Sequence, residues 1–223
     1  MRTRGYGQYC GVARALEIVG ERWGLLVIRD LLVRPRRFSE LRRGLPRIPT
    51  NVLSARLREL EEAGVVRRRL VPRPGTGFQY ELTEYGRDLE EAVAALGRWG
   101  ARELGKPGPD EVLTPEALVM ALRSAFQPAS ARGFRGSYEL RVGDAVVHAR
   151  IADGVLHAAP GPLPGADLAI EAGPVLRELM AGELTPAAAL RSGAVRLRGK
   201  KALFAAFVAC FRIGPAPAPP PAA

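Results

Sequence analysis

Cysteine and histidine are scarce in this sequence, and that scarcity closes off two chemistries at once. Cys10 and Cys210 cannot build a disulfide framework, and His148 and His157 cannot supply a usual zinc site. The N-terminal stretch MRTRGYGQYCGVARALEIVG carries no signal-peptide-like apolar run, and no segment reaches the roughly 18 apolar residues of a membrane span. The chain is therefore expected in the cytoplasm, with no membrane partner. No G-x-S-x-G, phosphate-binding loop or H-E-x-x-H motif occurs, so neither catalysis nor a cofactor or metal is expected. Lysine is nearly missing too: only Lys106, Lys200 and Lys201 stand among 33 basic residues. A GC-rich coding sequence accounts for that overall bias toward arginine, so the information lies in where individual arginines stand.

What is present is a basic first half. Residues 1–109 hold 21 Lys and Arg against 13 Asp and Glu, a net of +8; residues 110–223 hold 12 against 10, a net of +2. A concentrated positive half steers polyanions toward itself, either nucleic acid or an anionic membrane surface. Gly105-Lys106-Pro107-Gly108-Pro109-Asp110 breaks any helix and marks a boundary. The expected division is a domain over 1–105, a linker over 106–111, a second domain over 112–213, and a disordered Pro/Ala tail over 214–223.

In the first half, Val12, Leu16 and Val19 recur at helical spacing, and Trp23 to Leu32 reads as a central apolar helix. Phe38 to Arg43 is a short helix and Gly44 to Pro49 a turn. Thr50 or Asn51 then caps a helix whose Leu53, Leu57 and Leu60 share one face. Val65 to Val71 and Phe78 to Leu82 flank a Gly/Pro-rich tip and make a hairpin; a long helix from Thr83 to about Leu104 follows. This order predicts a mainly α winged helix-turn-helix domain with a β-hairpin wing.

With the three leucines inward, Asn51, Ser54, Ala55, Arg58 and Glu62 point outward and Thr50 stands at the helix start. A small, polar N-terminal face fits the roughly 12 Å major groove. Asn51 suits adenine, and Arg58 suits guanine or a phosphate; Arg56, on the flank, suits the backbone. Arg67, Arg68, Arg69 and Arg73 surround the hairpin, and Arg73 is placed for the minor groove or its phosphates. With Arg37 and Ser39 from the preceding helix, the candidate DNA-binding set is Arg37, Ser39, Thr50, Asn51, Ser54, Arg56, Arg58 and Arg73. The alternative is a solvated helix face.

The stretch from Cys10 to Trp99 resembles the HxlR-type regulators, relatives of the MarR group. The matching pieces are Cys10, Ile18-Val19-Gly20-Glu21-Arg22-Trp23, Ile28-Arg29-Asp30-Leu31-Leu32, Arg37 to Arg42, Leu53 to Gly64, Tyr80 to Gly86, and Trp99-Gly100. The resemblance implies a transcriptional regulator that is a homodimer, paired through its first and last helices, with two wings on one palindromic site in double-stranded DNA. The wing tip departs from the family's usual Pro-Pro-Arg-Val-Glu-Tyr entry, reading Gly75-Thr76-Gly77-Phe78-Gln79-Tyr80. Some family members sense oxidants through a cysteine at the position of Cys10. Arg4 and Arg14 lie nearby in sequence, and positive charge favours a thiolate. The alternative for Cys10 is a small residue packed in the dimer interface.

In the second half, Thr114-Pro115-Glu116 starts a helix. Strands follow at Ser137 to Val142, Ala145 to Ile151, Val155 to Ala158 and Asp167 to Glu171, the first three as an antiparallel meander. Helices at Pro174 to Met180 and Pro186 to Arg191, a strand at Ala194 to Arg198 and a helix at Lys200 to Phe211 complete an α+β domain with an antiparallel sheet and packed helices. Asp167 to Ile170, Leu179 to Pro186 and Ser192 to Gly199 resemble the C-terminal part of sterol-carrier-protein-type domains. That resemblance implies an apolar tunnel for a small hydrophobic effector, lined by Leu176, Met180, Leu184, Phe204, Phe207 and Phe211. A plain core is the alternative for those six. For the whole chain, two readings stand beside the regulator: a lipid-binding carrier with a basic docking half, and a constitutive repressor whose second domain is only structural.

Overall fold

Apolar residues at three- and four-residue spacing fold the first half as a set of short helices around a shared core. The computed structural model describes residues 5–71 and 77–215, and the chain divides into two units, Met1–Val93 and Ala94–Ala223. The first unit runs α1 (Gly11–Val19), α2 (Gly24–Val33), α3 (Phe38–Gly44), α4 (Thr50–Glu62), β1 (Val66–Val71), β2 (Gly77–Leu82) and α5 (Glu84–Arg87), and α6 (Glu90–Ala101) starts at its end. Val27, Ile28, Leu31, Leu41, Leu53, Leu57, Leu60 and Leu82 form the buried centre, with Leu89 and Val93 packed against it. Each such side chain contributes roughly 1.5–3 kcal/mol through burial.

The helix expected from Thr83 to Leu104 is two helices. The Thr83 side chain accepts from the Gly86 N–H at 3.0 Å and donates to the Gly64 carbonyl at 2.6 Å, pinning α5 to the start of the hairpin. Gly86 approaches so closely that a Cβ there would stand 2.2 Å from the Val65 carbonyl oxygen. The chain turns through Asp88 before α6 begins. Beside the hairpin, Arg36 pairs with Tyr80 as an isolated bridge, exchanging N–H···O bonds of 2.9 and 2.8 Å.

The second unit contains α7 (Pro115–Ala125), β3 (Arg135–Val142), β4 (Ala145–Ala152), β5 (Val155–Pro160), β6 (Leu168–Ala172), α8 (Leu176–Ala181), α9 (Pro186–Arg191), β7 (Val195–Gly199) and α10 (Leu203–Ala209). Its sheet has the order β5-β4-β3-β6-β7. The expected meander of three strands is present, but the sheet is mixed rather than antiparallel, because β6 pairs parallel with β3. Residues alternate along the strands: Tyr138, Leu140, Val147, Ala149, Ile151, Leu168, Ile170 and Val195 are buried, while Arg150, Glu171, Arg196 and Arg198 are exposed. The helices therefore lie on one face, and the opposite face is charged. Among the described residues, no helix is long and apolar enough to cross a membrane.

Candidate nucleic-acid interface

The helix-turn-helix is braced from below by a buried ion pair. Asp30, on the otherwise apolar α2, is fully buried; its Oδ1 accepts from Arg29 at 3.0 and 2.7 Å, and its Oδ2 lies 3.2 Å from Arg36 Nη1. The pair ties α2 to the strand residue that holds the hairpin. It also lies directly under Gly44, the last residue of α3, where a Cβ would stand 2.6 Å from Asp30 Oδ2. Glu40, in the first turn of α3, accepts from the Arg37 N–H at 2.7 Å and from Arg34 at 3.0 Å. Burial pushes its carboxyl up, but those two donors outweigh it and hold the pKa below the usual carboxylate range.

Leu53, Leu57 and Leu60 anchor α4 as their spacing predicts. The expected cap is different: Pro49 occupies the N-cap, and no side chain caps the helix. Proline needs no N–H at this position and presets its φ, so the chain enters α4 without help from Thr50 or Asn51. Both side chains are consequently exposed at the helix start, with no hydrogen bond among the described residues. Ser54 is half-buried and donates to the Thr50 carbonyl at 2.9 Å. Arg56 is held sideways by Glu59 at 2.7 Å and Glu21 at 3.5 Å, whereas Arg58 is exposed without an ion pair among the described residues. Ser39 is exposed on α3, and Arg37 is half-buried at its start.

The hairpin arginines are less available than a bare count implies. Arg67 and Arg69 straddle Glu81 at 2.8 and 3.0 Å, and Arg68 pairs with Glu61 at 2.9 Å while its guanidinium lies over the Phe78 ring. Glu81 and Glu61 were not among the sequence candidates, and they neutralise the base of the wing. Arg73 lies outside the described residues. Sequence reasoning also missed Arg42 and Arg43, which are exposed in the last turn of α3 with no ion pair among the described residues. Their signal was their place immediately before the turn.

The HxlR-like helix-turn-helix family model matches residues 18–107. The HTH-type transcriptional regulator YkvN of Bacillus subtilis is 35% identical over 112 residues, which cover 49% of this chain and 95% of that protein. YtcD of the same organism is 37% identical over 109 residues, covering 49% of this chain and 86% of that protein. This chain belongs to the HxlR-like helix-turn-helix family. Rv3095, an uncharacterized HTH-type transcriptional regulator of Mycobacterium tuberculosis, is 46% identical over 99 residues; the match covers 44% of this chain and 62% of that protein's length. Among solved structures, the redox regulator HypR in its oxidized form is 33% identical, with a TM-score of 0.41, over 43% of this chain and 99% of that one.

In this HxlR-like chain Cys10 stands at the N-cap of α1 and is exposed. Its thiol pKa is lowered by the backbone N–H groups of Ala13 and Val12 at the start of the helix. Of the arginines invoked from the sequence, Arg14 is paired with Glu17 at 2.9 Å, and Arg4 lies outside the described residues. Cys210 is buried, which pushes its thiol up.

In the second unit the six tunnel candidates sit in the layer of helices. Leu176, Met180, Phe204, Phe207 and Phe211 are buried and Leu184 is half-buried. The Phe207 ring packs on Tyr138 at 4.6 Å and on Phe211 at 4.7 Å between centroids. The Tyr138 hydroxyl is buried without a hydrogen-bond partner among the described residues, and desolvation pushes it far above its ordinary pKa. A hollow of about 280 Å³ lies on the other face of the sheet, lined by Arg141, Ala169, Ile170, Glu171, Arg196, Leu197 and Arg198.

Proposed function

We propose that this protein is a transcriptional regulator that binds a palindromic operator in double-stranded DNA as a homodimer. The observation that carries the reading is the outer face of α4. Thr50, Asn51 and Arg58 are exposed and unengaged on a helix whose other side is locked into the core. A small polar helix N-terminus of this kind enters a major groove, with Asn51 matched to adenine and Arg58 to guanine or phosphate. Arg42 and Arg43 are suited to backbone contacts beside it, and Ser39 and Arg37 to the flank. The HTH-type regulators to which the chain is similar support the same assignment.

Dimerisation is supported by apolar surface left exposed among the described residues. Tyr9, Val12 and Leu16 are exposed on and before α1, and Leu96 and Trp99 are exposed on α6, a helix that buries no residue. Surface of that kind marks an interaction site. The pairing of first and last helices implied by the family would bury it and place two copies of α4 on one palindrome.

The second domain resembles the sterol-carrier type and is proposed to admit a small hydrophobic effector among Leu176, Met180, Leu184, Phe204, Phe207 and Phe211. Effector binding would bias the dimer between two spacings of its α4 helices; a coupling of about 1–3 kcal/mol changes operator affinity roughly 5–150-fold. Cys10 is proposed as an oxidant-sensing thiol, on the strength of its exposure and its place at a helix N-terminus.

Fluorescence anisotropy on duplex from upstream of the gene, beside a scrambled duplex, tests the central reading. A preference of roughly 10³-fold or more at physiological salt supports a sequence-specific regulator; a steep salt dependence with no preference refutes it. Native mass spectrometry tests the effector, since a carried molecule adds mass. For Cys10, diamide treatment is expected to weaken operator binding by the wild type and to leave Cys10→Ser unchanged.

A further inference from the structure

The outer face of the second unit's sheet is organised in rows set by strand register. One row reads Arg198, Ala169, Glu139 and His148 from β7 to β4; the next reads Arg196, Glu171, Arg141 and Val146. Ala169 is the small residue that leaves the hollow open, and Arg141, Arg196 and Arg198 wall it. Arg150 stands on the same face two residues further along β4.

The charges here are not equivalent. Glu139 is buried; it accepts from the Leu163 N–H at 2.9 Å and pairs with Arg141 at 2.8 Å, and it also feels the charge of Arg198 without forming an ion pair with it. Lys200 is likewise paired with Asp167 at 2.7 Å. Arg196 and Arg198 are exposed and make no ion pair or hydrogen bond among the described residues. They stand on the edge strand, two residues apart and therefore side by side, with Glu171 as the only carboxylate lining the hollow.

We propose that this face binds the phosphate backbone of duplex DNA, with Arg196 and Arg198 as its principal contacts. The chemistry matches a polyanion: guanidinium forks take phosphate oxygens in pairs, and two adjacent unpaired forks on an edge reach beyond the sheet. A lipid surface fits less well. None of the large apolar side chains that are exposed in the second unit lines the hollow, whereas interfacial binding buries apolar groups beside the basic ones. Contacts of this kind carry no sequence information and add affinity uniformly. The inference rests on the reading of the chain as a DNA-binding protein, and extends it to a second surface outside the helix-turn-helix.

The test is anisotropy with the full chain on two fluorescein-labelled duplexes, upstream and scrambled, across a salt series. Arg196→Ala/Arg198→Ala is expected to weaken binding to both duplexes by a similar factor, about tenfold at low salt. The slope of log K against log salt is expected to become shallower by about 2, close to one per lost phosphate contact. Arg132→Ala/Arg191→Ala removes the same charge from exposed positions away from the hollow and is expected to leave affinity and slope unchanged. Unaltered melting temperatures in both variants would show that the folds are intact. If Arg196→Ala/Arg198→Ala binds with wild-type affinity and slope, or if the control loses as much, this surface does not contact DNA. If the wild type binds neither duplex, the DNA-binding reading itself falls. If instead the variant loses only its adsorption to phosphatidylglycerol vesicles, the surface belongs to a membrane.

Discussion

Replacing Gly44 by alanine sets two effects of opposite sign against each other, and the structure says which prevails. Gly44 closes α3, so alanine gains roughly 1 kcal/mol of helix propensity. Its Cβ, however, would stand 2.6 Å from Asp30 Oδ2 and 2.9 Å from Arg36 Nη1. Neither atom can retreat freely: Asp30 is 0% and Arg36 5% exposed, and both sit among core side chains. Breaking a buried ion pair costs about 3–5 kcal/mol, so the net destabilisation is expected to be about 2–4 kcal/mol. Urea denaturation followed by tryptophan emission measures it. Trp23 lies in the first unit and Trp99 in the second, so a Trp99→Phe background reports the first unit alone. A second arm isolates the cause. In Asp30→Ala/Arg36→Met the clash partners are gone, and Gly44→Ala is there expected to be neutral or to show only the propensity gain. Equal destabilisation in both backgrounds, or a Gly44→Ala protein as stable as wild type, would refute the bracing role of the pair.

On the operator, Asn51→Ala and Arg58→Ala are each expected to cost about 1–3 kcal/mol of specific binding, as lost base contacts do, while Arg56→Ala costs less because Glu59 already holds it; competition anisotropy against scrambled duplex measures all three. Trp99→Glu is expected to turn the proposed dimer into a monomer in sedimentation velocity, since it places a charge on the exposed apolar side of α6; an unchanged sedimentation coefficient would remove α6 from the proposed interface. Asp167 gives a pH test. Its pKa is lowered to about 2, first by the Lys200 ammonium and then by the Ser137 hydroxyl and N–H. A folded value below the unfolded one adds stability that is present above about pH 4 and lost as pH falls toward 2. Asp167→Asn is therefore expected to flatten the acid limb of the second unit's stability curve in that window, and an unchanged limb would contradict the assignment.

Much of the first unit was legible because it is built from local patterns. Leu53, Leu57 and Leu60 fix the rotation of α4, and the hairpin follows from two apolar runs around a Gly/Pro tip. What escaped was set by partners distant in sequence. Asp30 looks anomalous in an apolar helix, yet nothing local says that it receives Arg36. Arg67 and Arg69 read as free cations until the register sets Glu81 opposite Arg67 and within reach of Arg69, 14 and 12 residues on. The cap of α4 was missed because Thr50 and Asn51 are good capping residues by type, while Pro49 one position earlier already ends the extended chain. In the second unit, Gly143-Asp144 and Asp153-Gly154 announce their hairpins. The parallel partner of β3 is announced by nothing, since a crossover leaves no turn signature at the strand it joins.

The charge of the first half acquires a different meaning once its partners are known. Arg14, Arg29, Arg34, Arg56, Arg67, Arg68 and Arg69 are each within 3.0 Å of a carboxylate oxygen, so they contribute little field beyond a Debye length of about 8–10 Å. Arg42, Arg43 and Arg58, around the turn and on the outer face of α4, are exposed without an ion pair among the described residues, and so are Arg22 and Arg87 elsewhere in the unit. The net charge alone would have spread the attraction over the whole domain; pairing reduces it at the base of the hairpin and leaves part of it beside the proposed recognition face. This makes Glu81 a brake on the wing. Glu81→Gln frees Arg67 and Arg69 without changing side-chain volume, and it is expected to tighten binding to scrambled DNA and to steepen its salt slope by about 2. Specific binding should gain less, because the added contacts touch only phosphates and favour every sequence alike. A variant whose salt slope does not change would mean that the base of the wing never approaches the backbone, leaving α3, α4 and the tip to make the contacts.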